Sequence, residues 1–137
     1  MPKSVNTIIE RFNDKNIRLT PQRISVYQYL LENRIHPTVD TVYTHLKKSN
    51  PSLSKTTIYN TIDALSSAGL IRTIIANEGE ARLDAYTDFH GHFFCSKCGM
   101  VADFCLDGCS FPDQIEGYEM NTLEVRATGY CPKCRLT

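Results

Sequence analysis

Two Cys-x-x-Cys pairs, Cys95/Cys98 and Cys131/Cys134, lie in the last third of a 137-residue chain, and His90-Gly91-His92 stands just before the first. Four thiolates at this spacing can close a tetrahedral shell around Zn2+ with no position left open, which is the chemistry of a structural staple. Gly99 and Pro132 sit beside the cysteines in Cys-Ser-Lys-Cys-Gly and Cys-Pro-Lys-Cys and shape the two turns. Two disulfides or four buried thiols are the competing reading of the same residues. The histidines fall outside the thiolate set and point to a second centre, a sensor rather than a staple. Cys105 and Cys109 are left over; they are expected to be buried or incidental thiols, with redox reactivity the lesser alternative.

The elements that must position these groups change character along the chain. Val5, Ile8, Ile9 and Phe12 recur at helical spacing after Ser4, a residue suited to cap them. Thr20-Pro21 places an N-cap residue before a proline at the first helical position, and Ile24, Tyr27, Leu30 and Leu31 follow on one face. Thr38 caps a third helix with Val39, Val42, Tyr43 and Leu46 inward. Ser54 caps a fourth, from Lys55 to about Ser67, which buries Ile58, Ile62 and Leu65 and stops at Gly69. Leu70–Ala76 and Ala81–Tyr86 read as strands joined by the hairpin turn Asn77-Glu78-Gly79-Glu80. Helices followed by a hairpin predict a winged helix-turn-helix, with Lys55–Ser67 as the recognition helix. Its outward Lys55, Thr56, Thr57, Tyr59, Asn60 and Asp63 can meet phosphates or base edges, although a polar helix face is commonly just solvated.

Beyond about residue 91, short strands at Phe93–Phe94 and Met100–Phe104 flank the first Cys pair. An irregular helix is expected at Gly108–Gly117, and an alternating strand at Met120–Thr128 leads into the second pair. A single small sheet with open edges is marginal alone, and edge-to-edge pairing with a second copy remedies that. The expected architecture is therefore α+β: a winged-helix DNA-binding domain over 1–85, a hinge at 86–90, and a zinc-stapled α/β dimerisation domain over 91–137. Formal net charge is zero, which alone argues against a nucleic-acid partner, but residues 1–80 carry ten Lys/Arg against seven Asp/Glu and residues 81–137 five against eight. A basic partner surface belongs to the first part. No apolar run approaches the ~20 residues that span a bilayer, and the chain opens Met-Pro-Lys with no apolar signal segment. A cytoplasmic protein with no membrane partner is expected.

Leu19-Thr20-Pro21-Gln22-Arg23, Thr57-Ile58-Tyr59-Asn60, and His90-Gly91-His92 followed by Cys-x-x-Cys-Gly together resemble the ferric uptake regulator family, over nearly the whole chain. The resemblance implies a homodimeric, metal-dependent transcription factor that binds double-stranded DNA at A/T-rich inverted repeats. It implies DNA contacts for Tyr59 and Asn60 on the recognition helix and for Arg18 ahead of the second helix. Cys95, Cys98, Cys131 and Cys134 match the structural zinc site of many members. His36, Asp84, His90, His92 and Asp103 match the five-ligand regulatory set of the peroxide-sensing branch; in iron sensors the positions of Asp84 and Asp103 are more often glutamate. Asn121 stands where relatives commonly have a histidine, which speaks against a third metal site.

Three imidazoles and two carboxylates form a mixed N/O shell suited to Fe2+ or Mn2+. Such a shell could lock the two domains in one arrangement. By resemblance, His36 and His90 are the oxidation-sensitive ligands, and one or the other is expected to gain one oxygen when peroxide meets the Fe2+ form. His45 is read as a plain helical residue. A non-haem iron enzyme shares the ligand types, but the chain offers no nucleophile, cofactor loop or pocket signature for a small-molecule substrate. The expected function is a peroxide-sensing repressor and not an enzyme, with an iron- or manganese-sufficiency regulator of the same family as the competing reading.

Overall fold

Three helix starts are fixed by the same local bond. Thr20, Thr38 and Ser54 accept hydrogen bonds from the backbone N–H groups of Arg23, Thr41 and Thr57, so each hydroxyl satisfies one of the donors that a helix N-terminus leaves unpaired. The structure is a computed structural model that describes residues 5–136, so the expected cap at Ser4 lies outside the described residues. The helices are α1 (Val5–Asp14), α2 (Pro21–Glu32), α3 (Val39–Lys47) and α4 (Lys55–Ser67). Among the described residues no helix is long and apolar enough to cross a membrane.

The chain divides into two compact units between Thr87 and Asp88. In the first, α2 lies against α1, α3 and α4, and α3 against α4. Ile8, Phe12, Val26, Tyr27, Leu30, Val42, Ile58 and Leu65 form its buried centre. Ile24, Val39, Tyr43 and Leu46, expected inward, are only partly buried at its margin, and Val5 is exposed. Strands β1 (Arg72–Ile75) and β2 (Ala81–Asp84) pair antiparallel, with Arg72 opposite Asp84. The connection between them is a short 3-10 turn over Asn77–Gly79. Leu83 and Ala85 carry β2 into the core, and the Leu83 N–H bonds the Pro37 carbonyl at 2.9 Å.

The second unit is a three-stranded sheet in the order β4 (Val101–Phe104), β3 (Gly91–Cys95), β5 (Arg126–Gly129), with β3 antiparallel to β4 and parallel to β5. Phe94 is fully buried under the Arg126 guanidinium, 3.6 Å above its ring. Two expectations fail here. No helix forms over Gly108–Gly117; residues 107–119 are exposed and irregular. Pro112 lacks a donor and both bounding glycines have φ of 82°, which leaves too short a run to nucleate a helix. The strand expected at Met120–Thr128 is restricted to Arg126–Gly129, because β3 offers partners only from His92 to Cys95, with Val125 adding one bond from its carbonyl to the His92 N–H.

Candidate metal centres

The four knuckle sulfurs all lie within 4.8 Å of one another. Cys98 Sγ and Cys131 Sγ are 3.8 Å apart, and Zn–S bonds of about 2.3 Å put tetrahedral sulfurs about 3.8 Å apart. The donor set therefore fits zinc. Both knuckles use the same turn: the Gly99 N–H bonds the Cys95 carbonyl at 3.1 Å, and the Arg135 N–H bonds the Cys131 carbonyl at 2.9 Å. Parallel pairing places Cys95 beside Gly129, two residues before Cys131, which is how segments 36 positions apart meet. The backbone N–H groups of Cys98 and Cys131 both donate to Cys95 Sγ and hold its thiol down at about 5. Cys131 is also lowered, chiefly by the Cys134 N–H. Cys134 is pushed up to about 12 by the sulfur of Cys131 and by burial. The crowded site thus favours thiolate at Cys95 and retains a proton at Cys134, which a dication would displace.

At the other end of β3, His92 and Asp103 are cross-strand partners, so their side chains share a face. His90 Nε2 lies 2.9 Å from His92 Nε2 and 3.2 Å from Asp103 Oδ1, and His92 Nε2 is 3.4 Å from that oxygen. Two imidazoles and a carboxylate converge on a triangle; bonds of about 2.1 Å meeting at right angles need donors about 3.0 Å apart. His90 Nδ1 lies 2.7 Å from the Asp88 carbonyl oxygen, which only accepts, so Nδ1 carries the proton and Nε2 turns its lone pair inward. Gly91, between the two histidines, is required by a close approach: a Cβ there would stand 2.3 Å from Phe104 Cζ.

In the first unit, His36 and Asp84 are both buried, with Nε2 and Oδ2 3.8 Å apart. His36 has φ of 53°, a left-handed conformation uncommon for a side chain with a Cβ. The backbone around it is pinned from β2: Arg82 Nη1 donates to the His36 carbonyl at 3.0 Å, next to the Leu83–Pro37 bond. Asp84 Oδ1 accepts the Tyr86 N–H at 2.9 Å, which orients the carboxylate.

Helix α4 exposes Lys55, Thr56, Tyr59 and Asn60, while Thr57 is half-buried with its hydroxyl 2.9 Å from that of Ser54. Arg18 is exposed, and its carbonyl accepts from the Arg23 side chain. Lys55 is not a free cation: its ammonium is 2.6 Å from Asp40 of α3. Asp40, Arg82, Phe104 and the Asp88 carbonyl were not anticipated, because each acts through a partner distant in sequence or through the backbone. Cys105 and Cys109, expected to be buried or incidental, are both exposed. His45 is exposed and lies against Tyr29, ring centroids 4.5 Å apart.

A sequence model of the Ferric uptake regulator family matches residues 14–126. The peroxide-responsive repressor PerR of Staphylococcus aureus is 33% identical over 131 residues, spanning 93% of this chain and 88% of that protein. The peroxide operon regulator of Bacillus subtilis is 28% identical over 130 residues, 92% of this chain and 90% of its own. The crystal structure of the Campylobacter jejuni peroxide stress regulator superposes with a TM-score of 0.70 at 27% identity, covering 96% of this chain and 99% of that one. With the match extending over most of its length, the chain belongs to the ferric uptake regulator family and is a regulator of transcription, not an enzyme.

Proposed function

We propose that this protein is a cytoplasmic, homodimeric repressor that binds A/T-rich inverted-repeat DNA when its regulatory centre holds Fe2+ or Mn2+, and that peroxide releases it by oxidising His36 or His90. The observation that carries the reading is the convergence of His90, His92 and Asp103 on one small triangle of donors. The similarity to peroxide-responsive repressors over nine-tenths of the chain supports it.

The first unit serves as a winged helix-turn-helix. Helix α4 presents Tyr59 and Asn60 to base edges, Thr56 and Thr57 to the backbone, Lys55 and Arg18 to phosphates, and β1–β2 forms the wing. The second unit is the dimerisation domain, stapled by Zn2+ on Cys95, Cys98, Cys131 and Cys134, and its edge strands are available to a second copy. His36 and Asp84 supply the remaining donors of the regulatory set. Fe2+ held by these donors would supply the electrons that split peroxide, whereas Mn2+ there would not readily reduce it. His90, held by Asp88, and His36, held by β2, stay in place while their rings are attacked. A ring that gains oxygen is a poorer donor, and metal-dependent DNA binding is lost.

The experiment is to load the zinc protein with Fe2+ or Mn2+, add low peroxide, and measure operator binding and residue oxidation by peptide mass spectrometry. Addition of one oxygen to His36 or His90 in the Fe2+ form alone, together with loss of DNA, is expected. An Fe2+ form that keeps its DNA and shows no oxidised histidine would overturn peroxide sensing and leave an iron- or manganese-sufficiency regulator.

A further inference from the structure

Cys105 and Cys109 belong to neither metal centre. Both are exposed free thiols, and the converging sulfurs of the zinc site are those of Cys95, Cys98, Cys131 and Cys134. Cys105 is the first residue after β4, and the chain reverses immediately beyond it. The Cys109 N–H bonds the Leu106 carbonyl at 3.0 Å, closing a four-residue turn whose third position is Gly108 with φ of 82°. That is the conformation a type II turn demands, and such a turn brings its ends within about 7 Å. Nothing lies within 4 Å of a Cβ built on Gly108, so it is the backbone angle rather than crowding that calls for glycine. Cys105 Sγ accepts the Asp107 N–H at 3.3 Å, which folds the sulfur back over the turn. Cys109 therefore returns within about 7 Å of Leu106, the neighbour of Cys105, and closing the pair asks for a Cα separation of about 4.4–6.8 Å. Residues 107–119 are exposed and irregular, so small adjustments there disturb no core.

We propose that Cys105 and Cys109 are a dithiol that hydrogen peroxide closes into an intrachain disulfide, an oxidant-reactive site that needs no iron. One sulfur attacks a peroxide oxygen, the O–O bond breaks, and the departing hydroxide takes up the thiol proton as water, leaving a sulfenic acid. The second sulfur attacks the first, the S–O bond breaks, and the hydroxyl leaves as a second water with the second thiol proton. Two thiols and one peroxide become one disulfide and two waters; the sulfurs are oxidised and the peroxide reduced. The inference does not depend on the regulatory reading of the histidines.

The test uses the full-length zinc protein treated with EDTA to strip labile metal, exposed to peroxide, then alkylated without reductant. Cleavage on the N-terminal side of Asp103, Asp107 and Asp113 separates Cys105 (peptide 103–106) from Cys109 (peptide 107–112), so the two stay joined only if the bond has formed. The joined pair is expected after peroxide, absent after reductant, with zinc content unchanged. In Cys109→Ser the pair is lost, and Cys105 is expected to accumulate a dimedone-reactive sulfenic acid. Alkylation of both thiols after peroxide would overturn the proposal. So would oxidation confined to the zinc cysteines with zinc released, or a Cys105 bond that joins two chains on a non-reducing gel.

Discussion

Gly91→Ala is the sharpest test of how the second unit presents its histidines. The added Cβ would meet three Phe104 ring atoms, Cζ at 2.3 Å, Cε2 at 2.6 Å and Cε1 at 2.7 Å. A carbon contact relaxes near 3.5–4.0 Å, so the ring must withdraw by more than 1 Å. Phe104 is only half-buried, and its far end can swing toward solvent. A χ rotation of ~30° off its minimum costs about 0.5–1.5 kcal/mol. Uncovering ~20–30 Å² of ring adds about 0.5–0.8 kcal/mol at ~25 cal/mol per Å². The expected destabilisation is ~1–2 kcal/mol, measured by urea denaturation followed through the second unit. Phe104 adjoins Asp103 on β4, so the same displacement moves the carboxylate relative to His92, and Mn2+ affinity should fall as well. Gly91→Ala combined with Phe104→Leu should recover most of both losses. A single variant with unchanged stability and unchanged Mn2+ binding would refute the close-approach argument.

Cys95→Ser removes the sulfur on which two backbone N–H groups converge. It should lose zinc and unfold the second unit, which metal analysis and circular dichroism would check; a folded, zinc-free variant would sink the staple. Tyr59→Ala should weaken operator binding and narrow its margin over random sequence in a fluorescence titration, whereas Lys55→Ala should weaken both alike and lower the salt slope by about 1. Asp40→Asn releases the Lys55 ammonium from its 2.6 Å partner and should steepen that slope; no change in any of these would mean that α4 does not face DNA. His36→Asn and His36→Ala both delete the imidazole, but asparagine tolerates the left-handed backbone at φ 53°. The alanine variant should be less stable by about 1 kcal/mol, with both equally deficient in metal-dependent DNA binding. Equal stabilities would refute the strain, and a metal-responsive asparagine variant the ligand role.

The helices were legible because their signals are local. Thr20, Thr38 and Ser54 each cap through an N–H three residues ahead, and the apolar spacing of α4 put Ile58, Ile62 and Leu65 inside without tertiary information. The two Cys-x-x-Cys turns were legible for the same reason, since each is a four-residue turn. What sequence could not disclose depends on partners brought from afar. The parallel pairing of β5 with β3 and the clamp of Lys55 by Asp40 leave no periodic trace. The left-handed backbone of His36 runs against its place before Pro37, where the preceding residue ordinarily extends. It is maintained by Arg82 and Leu83 of a strand some 46 positions later. The expected helix at Gly108–Gly117 failed because two glycines and a proline outweighed a weak apolar pattern.

Strand β3 also dictates an order of dependence between the two kinds of centre. His92 is its second residue and Cys95 its last, so donors of different type stand three residues apart on one strand, about 10 Å at ~3.3 Å per residue. The Cys95 end lies beside Gly129 of β5, where the two Cys-x-x-Cys turns converge, and the same register sets His92 against Arg126 as well as Asp103. Loss of the sulfur staple frees that register, and with it the pairing that brings Asp103 to the imidazoles. The reverse does not hold. His90 is held by the Asp88 carbonyl, Asp84 by the Tyr86 N–H and the His36 backbone by Arg82, all bonds that contain no metal. Emptying the histidine–aspartate centre should therefore leave both units folded and the zinc in place, whereas stripping the zinc should abolish both centres. That asymmetry suits the proposed sensor, because its donors can be lost without taking the fold with them.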